Sequence, residues 1–192
     1  MNSIAVYCGA NTGKQSIYYD AAIQLGQYLA THHLKLVYGG GGVGLMGVLA
    51  QSVLDAGGQV HGIMPQELYD RGAAAKNLTE LTVVDNMATR KQQMLTDSDG
   101  CIALPGGPGT LEEIIEAYSW ARIGDNPNPC AFYNVNHYYD PLITLFDQMV
   151  TQGFLTAEHR AKLCFADQLP TIFEFMTAYQ PPIIRTDYHQ PK

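Results

Sequence analysis

Along this chain, short aliphatic and β-branched runs alternate with longer stretches whose apolar positions recur every three or four residues. The runs at 4–8, 34–38, 60–64, 81–84, 101–104 and 131–133 are largely apolar, as strands covered on both faces tend to be. A weaker run at 163–165 is a further strand candidate. Amphipathic stretches at about 16–32, 44–57, 86–98, 110–123, 138–152 and 170–179 follow most of these strands. This alternation predicts an α/β fold, a Rossmann-like three-layer sandwich around a mainly parallel sheet of about six or seven strands. Neither an internal repeat nor a linker breaks the pattern, so residues 1–180 are expected to form one domain. The tail 181–192, with Pro181, Pro182 and Pro191, is expected to run extended over the surface.

Composition narrows what such a domain could handle. Hydrophobic residues are 46% of the 192 and charged residues 15%, which excludes a disordered chain. The net charge of −7 gives no phosphate-backbone footprint, so a long nucleic acid is not an expected partner. A small anion is still compatible, because a glycine-rich loop at a helix start binds phosphate locally. No apolar run reaches the ~18 residues of a membrane span. The opening Met1-Asn2-Ser3-Ile4-Ala5-Val6 lacks the basic region of a signal peptide. Cysteines 8, 101, 130 and 164 are widely spaced and lie in or beside apolar runs, so buried reduced thiols and a cytoplasmic setting are expected. The six histidines show no metal-ligand spacing, and neither a metal nor a cofactor is expected.

Three loops at strand ends carry unusual chemistry. Residues 39–47, Gly-Gly-Gly-Gly-Val-Gly-Leu-Met-Gly, satisfy GxGxxG twice and make Gly40 and Gly41 candidate phosphate contacts. A dinucleotide site also needs an acidic residue ending the next strand, which instead ends Gly62-Ile63-Met64-Pro65. Close packing of helix on strand is the alternative use of these glycines. Residues 9–15 look like a P-loop but are one residue short, and Gln15 stands where magnesium needs a hydroxyl, so a polar cavity wall is expected. Residues 105–113, Pro-Gly-Gly-Pro-Gly-Thr-Leu-Glu-Glu, offer Gly106, Gly107, Gly109 and Thr110 as an anion cradle at a helix N-terminus. Thr110 and Glu113 also have the spacing of a capping box, so Glu113 reads equally as a cap or as a catalyst. Upstream, Met87, Arg90, Lys91 and Met94 share one helix face, placing two cations between two methionines. Such a face is ordinarily core, but two cations within it call for an anion, and arginine offers a fork suited to phosphate.

Together, Gly-Gly-Gly-x-x-Gly-Leu-Met-Gly, Met-x-x-Arg-Lys and Pro-Gly-Gly-x-Gly-Thr-x-x-Glu closely resemble the LOG proteins, the cytokinin riboside 5′-monophosphate phosphoribohydrolases. The likeness runs from about residue 4 to 154 and includes the late pair Tyr138-Tyr139. It implies a homodimer that cleaves the N-glycosidic bond of a purine nucleoside 5′-monophosphate, releasing free base and ribose 5-phosphate. It implies Arg90 and Glu113 as the catalytic pair, Lys91 as a second cation, 107–110 as the phosphate loop and Glu67 as a substrate contact. The chain departs from the plant pattern Asp-Met-His-x-Arg-Lys at Asn86 and Ala88, carries Pro108 where an aromatic is common, and has His137 where glycine often precedes the paired tyrosines. These changes leave an ordinary AMP-like substrate as open as one with an N6 substituent.

Overall fold

The computed structural model describes residues 1–184; the end of the expected tail, 185–192, lies outside the described residues. Its strands are Ser3–Tyr7 (β1), Lys35–Tyr38 (β2), Val60–Pro65 (β3), Glu80–Val84 (β4), Cys101–Ala103 (β5), Cys130–Tyr133 (β6) and Leu163–Ala166 (β7). They form one all-parallel sheet in the order β4-β3-β2-β1-β5-β6-β7. The helices are Ser16–Thr31 (α1), Gly44–Asp55 (α2), Gln66–Asp70 (α3), Met87–Thr96 (α4), Pro108–Ile123 (α5), Asp140–Thr151 (α6), Ala157–Ala161 (α7) and Leu169–Ala178 (α8). The short helices α3 and α7 arise where the sequence has too few turns to display a helical period.

Side chains alternate across the sheet and so build two separate cores. Ile4 and Val6 of β1 join Leu25, Leu29, Leu49, Val53 and Ile172 from α1, α2 and α8 on one face. Ala5 and Tyr7 join Met94, Ile114, Ala117 and Phe146 from α4, α5 and α6 on the other. Burying each large aliphatic side chain stabilises the fold by about 1.5–3 kcal/mol before entropy is counted. The central strands β1, β5 and β6 are therefore buried throughout, whereas edge strand β4 exposes Glu80 and Val83.

β1 has β2 on one side and β5 on the other. The chain leaves β1 toward α1 on one face of the sheet and leaves β5 toward α5 on the opposite face. Two neighbouring loops that diverge in this way open a crevice at the carboxyl ends of the strands, the place where open α/β sheets bind ligands.

Candidate active site

That crevice is a cavity of about 760 Å³, within the range of small-molecule sites. Its walls come from the β1 loop (Cys8 to Gly13), the β2 loop with the start of α2 (Gly39, Gly41, Val43, Leu45, Met46), and the β5 loop (105–110). Met64, Leu68, Ala73, Met87, Arg90, Glu112, Glu113, Tyr18 and Tyr138 complete it. The loops interlock through their backbones: Gly9 N–H donates to the Pro105 carbonyl (3.2 Å) and Leu45 N–H to the Gly9 carbonyl (3.0 Å).

α5 begins at Pro108, with Gly107 as its N-cap. Proline is suited to this first position, where its missing N–H would have had no partner. Thr110 is thus the third helical residue rather than the cap, and the capping box is not formed. Glu113 lies a full turn further in and points to Arg90, whose Nη2 is 2.8 Å from Oε1. Both side chains of this pair are only 10% exposed. Burial pushes the Glu113 carboxyl above its ordinary range, more strongly than the neighbouring Arg90 charge pulls it down. Such a carboxylate binds a proton more readily than an exposed one and can stabilise a cation at close range.

Arg90 is held from three sides. Asn86 caps α4 by accepting from Thr89 N–H (2.9 Å), which sets the helix phase. Arg90 Nε donates to the Ile63 carbonyl at the end of β3 (3.2 Å), and Nη1 approaches Met87 Sδ (3.6 Å). Below it lies Gly39, where any Cβ would run into the guanidinium. Its neighbour Lys91 turns the other way: Nζ donates to Glu112 and to Glu116 (2.7 Å), and these bonds push its ammonium pKa up. Lys91 does not line the cavity.

The glycines divide into two kinds. A Cβ on Gly44 would drive into the Ala10 carbonyl, one on Gly47 into the Gly42 carbonyl, and one on Gly106 into Thr110 Oγ1. Gly40 packs under Met64 and Leu81, and its carbonyl accepts from Ala75 N–H (2.8 Å); it forms no part of the cavity wall, whereas Gly41 does. Gly107 and Gly109 are different. Of the nineteen glycines they alone combine an ordinary negative φ with open space around a built Cβ. Among the described residues no neighbour excludes a side chain at either position, so the backbone of this turn is open to the cavity. By position, the N–H groups of Gly109 and Thr110 lack helical partners.

Glu67 is exposed and pairs with Arg71 one turn along α3; Leu68 beside it lines the cavity instead. The stretch after α3 folds back as a bridge, Ala74 against Gly41. Met94 is fully buried in the core, so only Met87 of the two methionines flanking the cations reaches the cavity. Asn11 enters the wall with the 9–15 loop, as expected of that loop, whereas Tyr18 enters without any spacing motif to announce it. Cys8 also faces the site, but burial and the nearby Glu113 charge push its thiol pKa far up, which disfavours the thiolate. Among the described residues no group of histidine, cysteine and acidic side chains could hold a metal, and no helix is long and apolar enough to cross a membrane.

A family model described as "Possible lysine decarboxylase" matches residues 46–176. The chain is 43% identical over 173 residues to the probable cytokinin riboside 5′-monophosphate phosphoribohydrolase LOGL1 of Oryza sativa subsp. japonica, covering 90% of this chain and 76% of that protein. It is 42% identical over 178 residues to the cytokinin riboside 5′-monophosphate phosphoribohydrolase LOG5 of Arabidopsis thaliana, covering 93% and 78%. Among solved structures, the molybdenum cofactor carrier protein of Chlamydomonas reinhardtii superposes with a TM-score of 0.69 at 17% identity, over 91% of this chain and 98% of that one. The molybdenum cofactor binding protein of Rippkaea orientalis gives 0.66 at 21%, over 92% and 95%. At such identities the likeness is one of fold.

Proposed function

From a chain that belongs to the LOG family of phosphoribohydrolases, we propose an enzyme that hydrolyses the N-glycosidic bond of purine nucleoside 5′-monophosphates. The observation that carries the phosphate requirement is the open space above Gly107 and Gly109 at the start of α5. Backbone N–H groups and the positive end of the helix dipole meet an anion there without any side chain intervening. The 5′-phosphate seated on this cradle places the ribose toward Glu113 and the base toward the apolar wall of Met46, Met64, Leu68 and Met87.

In the reaction, a water oxygen bonds to C1′ while the C1′–N9 bond breaks, its electron pair leaving with the purine. Positive charge grows on the ribose ring as it does in glycoside cleavage. Glu113 stabilises that charge and accepts the water proton, a role its raised pKa suits; the departing purine takes up a proton. Arg90 holds the carboxylate in place and positions the substrate through a hydroxyl or anionic contact.

The decarboxylase description would need a lysine to form a Schiff base with pyridoxal phosphate. No lysine lines the cavity, and Lys91 is committed to two glutamates, so the residues do not fit that group. A binding protein without turnover is the second reading, favoured only by the cradle itself; a buried Glu–Arg pair beside the sugar position is superfluous to it. We further propose a homodimer in the cytoplasm, on the kinship and the four free thiols.

Chromatography after incubation with AMP and with an N6-isopentenyl AMP tests the proposal. Free base and ribose 5-phosphate are expected from at least one of them, with adenosine a much poorer substrate in kcat/KM because remote phosphate binding positions the reacting carbon. Intact nucleotides throughout would favour the binding protein.

A further inference from the structure

The turn between β6 and α6 contains two successive residues that are not glycine yet lie in the left-handed region, Asn136 (φ 51°) and His137 (φ 59°). Strain of this kind persists where surrounding contacts impose it, and it gathers at functional sites. Here the turn delivers Tyr138 and Tyr139 to the β5 loop. Tyr139 is buried and its hydroxyl donates to the Leu104 carbonyl (2.7 Å). Tyr138 is 42% exposed, sits on the cavity rim, and donates to the Gly106 carbonyl (2.6 Å). Its ring stands edge-on to Tyr18 (5.8 Å between centroids) and to Tyr139 (5.0 Å). Asn136 Nδ2 donates to Gln15 Oε1 (3.0 Å), which ties the same turn to the β1 loop.

The carbonyl of Gly106 and the N–H of Gly107 belong to one planar trans peptide and point in opposite directions. Between two glycines such a peptide has little steric resistance to turning over. A flipped peptide would present a carbonyl oxygen to an anion and remove a donor. We propose that Tyr138 is a positioning residue: its hydroxyl latches the Gly106–Gly107 peptide so that the Gly107 N–H joins those of Gly109 and Thr110 in the phosphate cradle. The inference rests on the reading that residues 105–110 take the 5′-phosphate. It explains why a half-exposed tyrosine is carried on a strained turn to make one bond to a loop carbonyl.

The test is Tyr138→Phe, which keeps the ring and loses the latch. Inorganic phosphate affinity is read by calorimetry, and kcat and KM are measured for AMP and adenosine. Phosphate affinity is expected to fall about tenfold and KM for AMP to rise by a similar factor, the scale of one lost hydrogen bond. The kcat for AMP, the kinetics with adenosine and the thermal midpoint should stay close to wild type. Unchanged phosphate affinity, or an equal loss on AMP and adenosine, would overturn the latch. So would a Tyr139→Phe protein that weakens phosphate as much, since general loosening of the loop would then account for both. A wild-type protein indifferent both to inorganic phosphate and to the 5′-phosphate would overturn the cradle and the latch together, and that outcome is read before any variant is made.

Discussion

The β2 and β5 loops are both glycine-rich, both follow a strand and both open a helix, yet they use glycine for opposite ends. In the β2 loop, glycine lets parts of the chain touch: Gly44 against the Ala10 backbone, Gly47 against Gly42, Gly39 against the Arg90 guanidinium. In the β5 loop, Gly106 serves the same purpose, but Gly107 and Gly109 face open space at a helix N-terminus. By motif alone the β2 loop is the stronger match, since it satisfies GxGxxG twice. The structure makes it the scaffold that seats Arg90, while the β5 loop presents free donors to the cavity. The lesson is that a glycine's meaning lies in what its missing Cβ would have touched.

The largest effect expected is at the carboxylate that the β5 loop leads into. Glu113→Gln should lower kcat by about a hundredfold or more, the scale of lost charge stabilisation or general base action. Single-turnover assays at saturating nucleotide measure it, and a fully active, folded variant would leave the open loop with a cradle but no chemistry.

Alanine at one glycine of each loop separates the two uses directly. Gly44 has φ +60° and no room, so Gly44→Ala should cost on the order of 2 kcal/mol in denaturant unfolding. Gly109→Ala should leave stability within about 1 kcal/mol, because alanine suits a helix better than glycine. The same variant should weaken inorganic phosphate about tenfold by holding the anion off the backbone, a loss near the strength of one hydrogen bond. If Gly109→Ala binds phosphate normally, or Gly44→Ala unfolds like wild type, the contrast between the loops is wrong.

The smallest effect is in pH dependence. Burial raises the folded-state pKa of Glu113, so its ionisation opposes folding as pH rises through that value. The stability associated with the neutral form is complete below the unfolded carboxyl pKa and is lost above the raised one. Wild type should therefore gain on Glu113→Gln as pH falls from neutral toward the ordinary carboxylate range, a trend readable from paired thermal melts. Across the same window kcat/KM should decline with an acid limb above the ordinary carboxylate value, because the base must be ionised. An acid limb in the usual range, with no divergence of the melts, would remove the desolvated-base reading.

Local patterning was enough to foresee the parallel sheet, every strand to within a residue or two, and the six longer helices. Alternation and helical periodicity are properties of neighbouring residues, and they survive in a sequence read without its partners. The same reading left Glu113 divided between cap and catalyst, because that choice turns on whether α5 starts at Thr110 or two residues earlier. Pro108 was the available clue, since proline favours the first helical position. Arg90 and Lys91 looked equivalent side by side on α4. Only the rotation of that helix against β3 sends Arg90 to the Ile63 carbonyl and Glu113, and Lys91 out to Glu112 and Glu116. Tyr138 meets Gly106 across 32 positions of chain, and no spacing rule connects them. The sequence by itself determined which segments are strands, helices and glycine loops, because those follow from short-range sterics and periodic burial. Which glycines face the open cavity, which cation is buried and which tyrosine reaches the β5 loop were decided by the order of strands in the sheet, since that order alone sets the contacts between distant parts of the chain.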